Sequence, residues 1–61
     1  MNEYSRIRDV ILSLDTFSID DLFRVLYTKG IFDKKLIFEV LKNMQNDGEI
    51  AFKNNYIVLG S

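Results

Sequence analysis

Four lysines (Lys34, Lys35, Lys42 and Lys53) and the carboxamides of Gln45 and Asn46 are the side chains of this sequence most suited to meeting a ligand. An ammonium meets a phosphate as a point charge, and a carboxamide sets a donor beside an acceptor, the pattern of an adenine edge. Residue types for catalysis are scarcer. Without His or Cys, nucleophile activation and acid–base chemistry near neutral pH fall to Asp, Glu, Lys or Tyr. The adjacent acids Asp20 and Asp21 stand at the start of a helical pattern, where they serve the helix dipole. The same gap removes thiolate and imidazole ligands for a structural zinc and excludes disulfides. Gly30, Gly48 and Gly60 are too scattered to cradle a phosphate. A chain of 61 residues also has little room for a water-excluding cleft. Neither an enzyme nor a metal, cofactor or small-molecule substrate is expected; the chemistry on offer is macromolecular binding.

The elements that position these residues must come from one domain spanning 1–61. A chain this short buries only about 60% of the surface its unfolded form exposes, so modest stability is expected. With disulfide and zinc staples closed, an apolar core or oligomerisation remains. A hydrophobic fraction of 48%, with five Phe and three Tyr, is enough for a core. The net charge of −1 supplies no bulk basic field toward nucleic acid. No apolar run approaches the roughly 20 residues of a membrane span, and the start Met-Asn-Glu-Tyr has no signal-peptide pattern. A cytoplasmic location is the default expectation.

Periodicity predicts three helices. In residues 3–14, Tyr4, Ile7, Val10, Ile11 and Leu14 share one face, with Leu12 off the stripe, packed elsewhere or partly exposed. Asp15-Thr16-Phe17 breaks the pattern. Ser18 and Asp21 form a capping pair ahead of a second helix over about 19–29, with Ile19, Leu22, Phe23, Val25 and Leu26 inward and Gly30 as its stop. Asp33 caps a third helix reaching about Asp47, with Leu36, Ile37, Val40, Leu41 and Met44 inward and Gly48 at its end. The period then falls to 2. Residues 49–53 and 56–59 read as strands joined at Asn54-Asn55. A two-residue loop, the preferred reading, sets Phe52 opposite Ile57 and Ile50 opposite Leu59; a three-residue loop would move Tyr56 and Val58 to that side.

Helix, short extended segment, helix, turn, helix and hairpin is an order that resembles the winged helix-turn-helix family. The resemblance rests on Ser18–Leu26, the helix from Asp33 to Met44, and the ending Leu41…Asp47-Gly48-Glu49-Ile50…Tyr56-Ile57-Val58. It implies a mainly α fold with a C-terminal β-hairpin: a three-helix bundle plus a two-stranded wing. In DNA-binding members the third helix enters the major groove and the wing tip touches the backbone, which here implicates Lys53 beside Asn54-Asn55. Other winged helices bind only proteins, so the fold leaves the partner open.

With the third helix drawn as a wheel, Lys35, Phe38, Glu39, Lys42 and Asn46 point away from the core, and Lys34 and Gln45 lie at the margins. The leading expectation is a small DNA-binding regulator using Lys34, Lys35, Lys42, Asn46 and Lys53. The plain alternative is a solvated surface on which Glu39 pairs with Lys35 and Lys42. These four lysines neutralise only about four phosphates, so a monomer should bind duplex weakly, and a homodimer would double the contacts. Phe38 is the more informative residue. Either the first helix or the wing folds over it, or it anchors a protein interface together with Tyr27 and Tyr56. A protein-binding or self-associating module docking through the Phe38 face is therefore the competing expectation.

Overall fold

Side chains that can accept from exposed amides mark where each helix begins. In the computed structural model, which describes residues 2–60, α1 (Glu3–Ser13) starts at Asn2, whose carboxamide accepts from the Ser5 amide at 2.8 Å. The Ser18 hydroxyl accepts from the Asp21 amide at 3.1 Å, and the Asp21 carboxylate accepts from the Ser18 amide at 3.5 Å, at the head of α2 (Ile19–Thr28). Asp33 accepts from the Leu36 amide at 3.1 Å and opens α3 (Lys34–Asn46). Helices α2 and α3 end in the same way. Gly30 and Gly48 take φ of +79° and +80°, a region open to glycine at little cost. The two following amides then reach back to the Leu26 and Met44 carbonyls, closing a Schellman turn each time.

The two-stranded wing needs correcting, because the sheet has three strands. β1 (Thr16–Ser18) pairs antiparallel with β3 (Tyr56–Leu59), which also pairs with β2 (Ile50–Lys53), in the order β1-β3-β2. The pattern break at Asp15-Thr16-Phe17 carries this extra strand. Phe17 is buried, and an extended stretch can bury a side chain only if its own amides and carbonyls find partners; β3 supplies them. The loop is the two-residue one, with Ile50 opposite Leu59 and Phe52 opposite Ile57. Of its two residues only Asn54 has positive φ, 57°, at the first central position, as a type II′ turn requires.

The core gathers Ile7, Val10 and Ile11 of α1, Leu22 and Leu26 of α2, and Ile37, Val40, Leu41 and Met44 of α3. Phe17, Ile31, Ile50 and Ile57 complete it, while Tyr4, Leu14, Ile19, Phe23, Val25 and Leu36 pack half-buried at its margin. Leu12 is partly exposed on α1. Among the described residues no polar side chain is buried, no helix is long and apolar enough to cross a membrane, and no group of three or more acids could hold a metal. Three helices with a small antiparallel sheet ending in a hairpin are compatible with a winged-helix shape.

Candidate functional site

Helix α3 has its inward stripe in the core and two flanks beside it. Toward α1 the flank is closed. The Asn43 amide group donates to the Tyr4 hydroxyl at 2.9 Å, and Arg8 pairs with Glu49 just beyond the end of α3. Toward the hairpin the flank is open. A groove of about 760 Å³ runs between the start of α2, the outer side of α3 and the hairpin, lined among others by Asp20, Phe38, Lys42, Gln45, Phe52 and Tyr56.

Phe38 is 51% exposed. Neither α1 nor the hairpin folds over it. Its support comes from α2, where Phe23 meets it edge-on at 5.7 Å and 83°. Phe52 and Tyr56, lining the same groove, are about half exposed as well. Tyr27 lies farther along: it packs edge-on with Phe32 at 4.9 Å, and joins the strip through Phe23, four residues before it on one face of α2. Phe38, Phe52 and Tyr56 are thus the exposed rings that line the groove, and Tyr27 and Phe32 form a second exposed aromatic pair beyond Phe23. A fully buried aromatic side chain removes about 150–250 Å² from water, so half of the three groove rings leaves on the order of 300 Å² wet. That matches the largest apolar patch of a typical monomer, roughly 300–600 Å², on a chain exposing only 4187 Å² in all.

The proposed cations surround this strip without forming a positive field. Lys34 holds its ammonium 5.7 Å from the Phe23 ring centre. Lys35 and Lys42 share a smaller groove of about 430 Å³ with Asp33 and Glu39, and Lys42 also lines the larger groove with Asp20. Asn46 is exposed at the outermost side of α3, and Lys53 stands on β2 opposite Tyr56. The pairing of Glu39 with Lys35 and Lys42 that the solvated-surface alternative calls for is not seen among the described residues. Among the described residues, ion pairs within 4.0 Å join only Arg8 to Glu49 and Arg24 to Asp21. Holding two long exposed side chains in one geometry costs entropy that a screened attraction barely repays.

Sequence reasoning missed Phe52 and Phe32 as surface residues. The two-residue loop sets Phe52 opposite Ile57, and it does share one face of the sheet with Ile57 and Phe17. Ile57, Phe17 and Ile50 are buried, while Phe52, at the hairpin-tip end of β2, is about half exposed. Phe32 had a legible signal: an aromatic inside the turn between Gly30 and Asp33. Comparison of the chain with protein-family models, curated proteins and solved structures returned no match.

Proposed function

We propose that this chain is a winged-helix interaction module that docks a protein along the open flank of α3, in the groove between that helix and the hairpin. One observation carries the reading: Phe38, Phe52 and Tyr56, each about half exposed, line one groove in which a carboxylate accompanies the lysine. Magnitudes favour it. Covering on the order of 300 Å² of apolar surface on the three groove rings returns about 7 kcal/mol at 25 cal/mol per Å², within the range of about 4–15 kcal/mol that association costs. Aromatic anchors ringed by polar groups are also the usual makeup of binding hot spots.

Duplex DNA is the second reading, and a specific observation favours it. Lys35, Lys42 and Lys53 have no carboxylate within ion-pair distance among the described residues, and Lys35, Lys42 and Asn46 occupy the outermost side of α3. On this reading Lys34, Lys35, Lys42 and Lys53 meet phosphates and Asn46 a base edge.

Two measurements separate the readings. A fluorescent random-sequence duplex is titrated at low and at moderate salt. Docking through the groove predicts no salt-dependent binding, whereas four phosphate contacts predict a log–log salt slope of about −3.6, weakened by Lys35→Glu. In parallel, p-benzoylphenylalanine is placed at position 52 and, as a control, at Leu12 on α1. Protein adducts from position 52 and not from position 12 support the docking reading. Adducts to nucleic acid, or none that distinguish the two positions, overturn it.

A further inference from the structure

We propose that the occupant of this groove is a second copy of the same chain, related by a two-fold axis that brings Lys42 of each subunit to Asp20 of the other. This rests on the groove being a protein-docking site and adds the identity of the partner.

Charge is the first argument. Asp20 belongs to the α2 wall of the groove and Lys42 to the α3 wall, one group of each sign. A two-fold interface presents the same patch from both sides, so a charge on one wall meets the group on the other wall of its mate. A patch with one acid and one base on separate walls is self-complementary under that operation. A strongly acidic or basic partner would call for an excess of one sign, and the groove has none. The whole chain, with eight basic and nine acidic residues, is equally balanced.

Size is the second. A chain of 61 residues with no Cys cannot be stapled by disulfides, and the described residues hold no metal-binding cluster. Association with another subunit is one of the remaining ways for a domain of this size to bury more apolar surface. A standard interface removes about 800 Å² per partner, about a fifth of the 4187 Å² this chain exposes. The three groove rings alone account for about a third of that.

The sheet edge is the third. In the order β1-β3-β2, the outer edge of β2 has no ladder partner, and β2 carries Phe52. An uncovered edge bearing a wet aromatic is a surface that folded chains normally shield. A mate seated over Phe52 shields it.

The test is sedimentation velocity of the full chain from low micromolar to near-millimolar concentration, with circular dichroism confirming that each variant folds. The wild type is expected to dimerise as concentration rises. Lys42→Asp and Asp20→Lys should each weaken dimerisation by about tenfold or more, because each sets like charges together twice. Mixed one to one, the two variants should recover it, since both pairs in the mixed dimer are again opposite. Phe52→Ser, distant from the α2 dipole that Asp20→Lys perturbs, should also abolish the dimer. A wild type monomeric throughout overturns the second-copy inference and leaves protein docking to the cross-linking result. A dimer indifferent to Phe52→Ser and to both charge variants overturns the inference and the groove together. A dimer lost with Phe52→Ser but not recovered by mixing overturns the two-fold Lys42–Asp20 arrangement.

Discussion

Toward α1, Asn43 of α3 and Glu49 just past its end both find partners, in the Tyr4 hydroxyl and the Arg8 guanidinium. Toward the hairpin, Phe38 stands half exposed against Phe23, and the side chains of Lys42 and Gln45 make no hydrogen bond or ion pair among the described residues. The same helix is thus completed on one flank and left incomplete on the other. Polar contacts on the closed flank tie α1 to α3 and to the residue just past its end, while the buried stripe from Ile37 to Met44 provides the cohesion. The open flank contributes little to either task. Its apolar surface is spare, and that makes it available to a partner.

The sharpest way to break this contrast is to hollow the stripe the two flanks share. Met44→Ala, at a side chain only 1% exposed, should cost about 2–5 kcal/mol, enough to unfold much of a domain this small; urea denaturation measures it. A loss below about 1 kcal/mol would mean the stripe can collapse around the void and is not the common support. Next in size is the polar contact between α1 and α3. Tyr4→Phe removes the acceptor for the Asn43 amide, and because that bond is exposed the cost should be about 0.5 kcal/mol, near the lower end for a hydrogen bond. The smallest effect belongs to the open flank. Phe52→Ser should shift the stability of the dilute, monomeric chain by no more than about 0.5 kcal/mol. A shift comparable to that of Met44→Ala would place Phe52 in the core and erase the difference between the flanks.

Local signals made much of the fold legible. Ser18, Asp21 and Asp33 act within three residues of themselves, and Gly30 and Gly48 act through their own φ, so the helix limits follow from the chain read in order. The apolar stripes and the Asn54-Asn55 turn are local in the same sense, and the hairpin register follows from the loop length. The third strand was not legible. Three residues have too little period to announce a strand, and Thr16–Ser18 pairs with a segment some forty residues later.

The candidate surface divides along the same line. That Phe38 points away from the core follows from helical geometry alone, because its angle from Ile37 and Val40 is set by 3.6 residues per turn. Whether it is covered depends on where α1, α2 and the hairpin settle, and the answer, an edge contact with Phe23 and open space beside the hairpin, is tertiary. Phe52 shows the reverse case. The loop length paired it correctly with Ile57, yet Ile57 on the central strand and Ile50 at the far end of β2 are buried while Phe52, beside the hairpin tip, is half exposed. By itself the sequence determined which way each side chain leaves the backbone, since that is a property of neighbouring residues. Only the packing of distant elements decided which of those side chains remained in water.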